Sequence, residues 1–172
     1  IPGRGNVELE NLLAVRQGRS NQLIVVVAHR DNTGASPGAN DNGSGTAALL
    51  ELARSYASPQ APPRPPQPTH TILFLSSDAG AFGGLGVEHF ITHYRDRDRV
   101  VAVVDLDAIA GDGRPHIVFS GDTSRFASPV LVRTASARLA EQTGVEPTWP
   151  RAFAQLLDLA FPLSLYEQAP FV

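Results

Sequence analysis

The sequence predicts an α/β domain built on a largely parallel sheet, and three observations lead there. Short apolar runs alternate with stretches of helical periodicity along the whole chain. The runs Leu23–Ala28 and Val100–Val104 are continuously apolar, as strands covered on both faces are. Acids or a histidine stand at the ends of three such runs, where open parallel sheets collect their ligands.

Taken in order, Leu12–Val15 reads as a first strand and Leu23–Ala28 as a second. A helix is predicted from Thr46 to Tyr56, capped by Ser44, with Leu49, Leu52, Ala53 and Tyr56 on one face. Pro59 enforces its end, and residues 58–68 are too rich in proline for helix or central strand, so they read as an extended, exposed loop. Thr71–Leu75 is the third strand and Leu85–Tyr94 a second helix. Arg95–Arg99 alternates in charge and reads as a solvated turn. Val100–Leu106 is the fourth strand, with His116–Ser120 a fifth. Ser128 caps a third helix, Pro129–Gln142, which Gly144 closes, and Trp149–Leu159 adds a fourth.

A chain of 172 residues is expected to form a single domain over 1–172. Fourteen basic residues against seventeen acidic ones leave a net charge of −3, so no footprint for nucleic acid or an anionic membrane is present. Every basic residue is Arg, which removes any Walker-type lysine. The absence of Cys excludes disulfides, cysteine catalysis and thiolate-bound zinc. No run approaches the ~18–20 apolar residues of a membrane span, so insertion by this segment is not expected. The chain starts at Ile1 and contains no Met, and it reads as a processed product or an excised segment of something longer.

The chemistry gathers at strand ends. His29 and Asp31 follow the second strand, Asp78 the third, and Asp105 and Asp107 close the fourth, while Asp41 lies in the run Gly38-Ala-Asn-Asp-Asn-Gly-Ser-Gly45. One imidazole among carboxylates suits zinc or a harder divalent ion. Any one of these residues alone reads as a turn, a cap or a core histidine, but in this order they outweigh that reading.

His29-Arg-Asp31, the Pro37–Gly45 run leading into Leu-Leu-Glu-Leu-Ala-Arg, and Val104-Asp-Leu-Asp107-Ala-Ile together resemble the co-catalytic zinc aminopeptidases related to bacterial leucyl aminopeptidase. That family also holds glutaminyl cyclases and the inactive ectodomains of transferrin receptor and nicastrin. The resemblance runs from about Glu10 to Phe171. It implies a three-layer α/β/α sandwich of the zinc-exopeptidase type around a mixed, largely parallel sheet. It further implies that His29 and Asp107 are ligands of one zinc, that Asp41 bridges to a second, and that Asp31 orients His29. Its Asp-x-Glu-Glu segment is matched by Asp78-Ala-Gly80-Ala81, so the general base and one ligand are replaced by Gly80 and Ala81. Its last ligand, a histidine near the C-terminus, is matched by Gln168.

Loss of a general base costs about 10²–10⁴ in rate, and loss of one metal removes a Lewis acid besides. The expectation is therefore a zinc aminopeptidase-like domain without catalysis, acting as a binding or ectodomain module. It holds at most one zinc on His29, Asp41 and Asp107, and no second zinc. The alternatives are an active single-metal aminopeptidase, with Asp31 or Asp78 improvising as base, and a metal-free structural interaction domain. A peptide or protein is the expected partner. The resemblance implies an extracytoplasmic or secreted location. It also implies a further strand after the Pro170-Phe171 element, so association with the rest of a parent chain or with a second copy is expected.

Weaker signals are set aside. Gly80–Gly86 lacks the order of a phosphate-binding glycine loop and reads as a turn. His89 and His93 are spaced i, i+4, but Phe90 stands where a zincin has glutamate, and they read as exposed helix surface. Asn42 spoils a nucleophile elbow around Ser44.

Overall fold

A computed structural model describes residues 5–57, 66–119, 127–151 and 169–171. They belong to two compact units, 1–110 and 111–172. In the first, β1 (Leu12–Arg16), β2 (Ser20–His29), β3 (His70–Ser77) and β4 (Val100–Asp105) form one sheet in the order β1-β3-β2-β4. β2 runs parallel to both β3 and β4, and β1 runs antiparallel to β3. The sheet is thus mixed and largely parallel. All four strands occur where the apolar runs place them, and β2 and β3 extend beyond both ends of theirs.

Alternation along β2 and β3 divides the core. Ala28 and Phe74 point toward α1 (Gly45–Ala57) and enclose Leu49, with Val26, Ala53, Tyr56, Ile72 and Leu106 packed around them. The rings of Tyr56 and Phe74 lie 6.0 Å apart. Val25, Val27, Leu73 and Leu75 point the other way and are fully buried as well. Burial on both faces explains why these strands lack polar alternation, and each such side chain contributes about 1.5–3 kcal/mol. α2 (Leu85–His93) buries Val87 and Phe90. Its start demands glycine at position 86, where a Cβ would lie 2.2 Å from the Asp78 carbonyl oxygen.

In the second unit, α3 (Pro129–Thr143) begins with proline in its first turn and ends at Gly144 in the left-handed conformation, φ 69°. Ser128 stands at the cap position, but its side chain makes no capping bond; its carbonyl accepts the Val132 amide instead. Among the described residues, the expected strand at His116–Ser120 appears as a single parallel bridge between His116 and Thr148. Two backbone bonds make that bridge, Ile117 N to Thr148 O and Thr148 N to Pro115 O, and Pro115 has no N–H with which to extend it. Trp149–Arg151 is not helical. Trp149 meets Phe119 edge-on with centroids 6.4 Å apart. The remainder of the expected fourth helix, most of the proline-rich loop and Gln168 lie outside the described residues. Among the described residues no helix is long and apolar enough to cross a membrane.

Candidate metal centre

His29 ends β2 with the same side-chain parity as Val25 and Val27, and it is buried. Its Nδ1 lies 3.0 Å from the backbone oxygen of Asp31 and 3.5 Å from that residue's carboxylate. A carbonyl oxygen only accepts, so Nδ1 carries a proton, and Nε2 is the nitrogen that presents a lone pair whenever the ring is neutral. That nitrogen lies 3.2 Å from Asp41 Oδ1 and 3.6 Å from Asp107 Oδ1. Asp107 Oδ1 is buried and has no hydrogen-bond donor among the described residues.

Three electron-rich atoms, all within 4.8 Å of one another, face each other here. A buried carboxylate oxygen without a donor is costly unless a cation serves it. One imidazole and two carboxylates are also the donor types that zinc accepts. The set therefore fits a divalent ion. The Asp41 side chain is 69% exposed, which leaves the cluster open to solvent. Among the described residues no further acid or histidine joins the cluster, so Asp78 and Asp105 stand outside it.

Asp41 is positioned by its neighbour. The Asp41–Asn42 peptide bond is cis, and the Asn42 side chain is buried. Asn42 Nδ2 donates to the Leu106 carbonyl at 2.8 Å, and Oδ1 accepts the amides of Gly45 at 3.0 Å and Ala108 at 3.3 Å. One amide side chain thus joins the Asp41 loop, the start of α1 and the segment bearing Asp107. Asn40 Oδ1 adds a bond from the Ala110 amide at 2.9 Å. The cap expected of Ser44 is supplied by Asn42 instead, because the Ser44 hydroxyl donates to the Asn40 carbonyl at 2.7 Å and accepts the Ile109 amide at 3.0 Å. Gly45 leaves room for this junction, since a Cβ there would sit 2.0 Å from the Leu106 oxygen.

Opposite the cluster, the turn after β3 presents backbone where the resemblance places two glutamates. The amides of Gly80 and Ala81 donate to the Asp31 carboxylate at 2.8 and 3.2 Å. Burial works against ionisation of Asp31, but hydrogen bonds from His29 and the Gly80 amide, with the charge of His29, outweigh it and hold its pKa below the usual carboxylate value. The Asp78 carboxylate accepts the amides of Ala79 at 2.9 Å and Glu10 at 3.1 Å, with the Arg30 guanidinium at 3.4 Å. Both acids available to improvise as a base are therefore already engaged by donors.

The sequence pattern that defines Peptidase family M28 matches residues 11–155. This chain belongs to that family. An aminopeptidase of Pseudomonas aeruginosa is 30% identical over 126 residues, 72% of this chain and 22% of that protein. Human transferrin receptor protein 2 is 31% identical over 157 residues, 85% of this chain and 19% of the receptor. This chain therefore spans less than a quarter of either relative. Among solved structures, a zinc aminopeptidase from Bacillus subtilis superposes with a TM-score of 0.65 at 24% identity, covering 94% of this chain and 36% of that one. The M28 resemblance read from the motifs is borne out, and so is the fold class, a mixed α/β architecture around a largely parallel sheet.

At this candidate centre of the M28 chain, the sequence named the charged residues and missed the two amides that tie their segments together. Asn42 and Asn40 were visible only as members of the Gly38–Gly45 run. Two side-chain amides flanking an acid between glycines were the available signal, since such residues bind backbone where a loop departs from regular structure.

Proposed function

We propose that this M28 domain is a catalytically degenerate aminopeptidase that keeps one divalent-ion site and serves in binding, as an extracytoplasmic module of a larger protein. The observation that carries the reading is the engagement of Gly80 and Ala81. Where a general base would face the cluster, there are two backbone amides, and both are tied to Asp31. Asp31 does not replace it, because its carboxylate accepts both amides and is held in its ionised form, and Asp78 stands outside the cluster.

His29, Asp41 and Asp107 would hold the ion, which when bound supplies Lewis acidity and cross-links the ends of β2 and β4. The chain's own groups then do the rest. Asp31 keeps the His29 tautomer, Asn42 sets the distance between the two acids, and the exposed Asp41 leaves an approach for a peptide or protein carboxylate or carbonyl. The relatives matched are several times longer, which supports pairing with further residues of a parent chain or with a second copy.

Two measurements test the proposal together. Zinc titrated into chelator-treated protein gives a one-site isotherm that is lost in Asp107→Ala, and aminoacyl-nitroanilide hydrolysis with added zinc stays at the buffer rate. Metal-dependent turnover abolished by His29→Ala would establish the active single-metal reading. No heat of binding at all would establish the metal-free one.

A further inference from the structure

The chain has six asparagines, at positions 6, 11, 21, 32, 40 and 42, and Asn42 alone is followed by glycine. An Asn-Gly pair is open to attack from within, because glycine carries no Cβ to obstruct its own nitrogen and leaves the backbone free to turn. The Gly43 nitrogen would lose its proton and bond to Cγ of Asn42. The Cγ–Nδ2 bond would break, ammonia would leave, and water would then open the cyclic imide to aspartate or isoaspartate.

In the folded chain that attack has no path. Asn42 has ψ 45°, which turns the Gly43 nitrogen to the side of the Cα–C bond opposite Cβ, whereas ring closure needs both on the same side. The Gly43 N–H is also engaged, donating to the Gly38 carbonyl at 2.8 Å. The Asn42 side chain is buried, with Nδ2 on Leu106 and Oδ1 accepting from Gly45 and Ala108. Two donors on a carbonyl oxygen polarise it toward attack, so the fold withholds the nucleophile and not the electrophile.

We propose that Asn42-Gly43 is a deamidation site gated by folding, spared while the loop is closed and modified once the chain unfolds. The product does not fit the native junction. A carboxylate at position 42 has no N–H for the Leu106 carbonyl, and it adds a negative charge next to Asp41. Isoaspartate also routes the backbone through Cγ, which lengthens the loop that leads into α1. Covalent change in the unfolded state thus makes unfolding a one-way step. This inference stands apart from the catalytic and metal readings, since it concerns the clamp and not the ion.

The test is peptide mapping of the full chain after timed incubation at mildly alkaline pH, folded and in urea. Cleavage after Arg30 and Arg54 releases Asp31–Arg54, in which fragment mass spectrometry and isoaspartyl methylation read position 42. In urea, Asn42 is expected to be the first asparagine lost. In the folded chain its loss is expected to be at least about 10²-fold slower, since opening breaks three buried hydrogen bonds, each worth about fivefold in an equilibrium. Gly43→Ala, compared in urea where folding plays no part, is expected to slow the loss at least about tenfold by placing a Cβ beside the attacking nitrogen. After removal of urea, the fraction that fails to regain its folded circular dichroism is expected to match the fraction modified at position 42, with briefly exposed chain as reference. Equal rates in the folded and unfolded chain would overturn the proposal. So would earlier loss of another asparagine in urea, an unchanged rate in Gly43→Ala, or full recovery of the modified chain.

Discussion

The Asp31 carboxylate accepts the backbone amide of Gly80 at 2.8 Å, so an acid from the end of β2 closes the turn that follows β3. With the Ala81 amide on its other oxygen, Asp31 stabilises this turn as well as standing beside His29. Its removal is therefore felt in folding and in ion binding at once.

Asp31→Ala leaves two amides without their acceptor. The expected loss is about 1–3 kcal/mol of stability, the cost of a buried donor left unsatisfied, read as a lower urea midpoint with an unchanged slope. Zinc affinity falls in parallel by about 10–100-fold, as for other partners of a ligating histidine.

Acid should expose the same residue. The fold lowers the Asp31 pKa beneath its ordinary value of 3.8, so the folded state favours the ionised form. Its contribution is complete above that ordinary value and is lost as pH falls through the lowered folded one. In metal-free protein, the gap in urea midpoint between the unmodified chain and Asp31→Asn should hold steady from pH 7 to about 5 and close on further acidification. A gap that widens toward low pH would contradict the assignment.

Asn42→Ala removes the three bonds between the Asp41 loop, α1 and the segment after β4. Each buried group left without a partner costs about 1–3 kcal/mol, so this variant should rank among the most destabilised single substitutions in the first unit. Because Asp41 then loses its fixed distance from His29, zinc binding should weaken even where the variant still folds.

Gly45→Ala tests the same junction by crowding it. A methyl group 2.0 Å from the Leu106 oxygen forces the helix away from β4, with an expected cost of at least about 1–3 kcal/mol despite the better helix propensity of alanine. Differential scanning calorimetry reads this as a lower Tm.

Zinc should raise the stability of the unmodified chain by about 2.7 kcal/mol at free metal a hundred times the Kd, and chelator should reverse the gain. Asp107→Ala should show no such rise, because the donor-free oxygen that the ion serves is gone.

Much of this was legible in the order of residues. The apolar runs that became β2, β3 and β4 need burial on both faces, and a strand's end fixes where His29 must stand. Strand ends pointed to Asp78 and Asp105 as readily as to Asp107, and it was the family resemblance that singled out Asp41 and Asp107 beside that histidine. Local pattern failed where backbone was satisfied from far along the chain. Ser44 looked like a cap, yet Asn42 takes that part while reaching across to Leu106, a relationship no local periodicity encodes. His116–Ser120 had the apolar content of a strand, but its extent depends on the partner it finds, and at Thr148 it finds room for one bridge. That Gly80 and Ala81 stand where the resemblance places two glutamates could be read from the motif; that their amides would engage Asp31 could not.

The neutral side chain of Asn42 has a wider consequence. The segments bearing Asp41 and Asp107 are joined by an uncharged clamp, whose bonds salt does not screen as it screens ion pairs. A divalent ion entering there would find the segments that carry the two acids already joined, with less of the ordering left to do on binding.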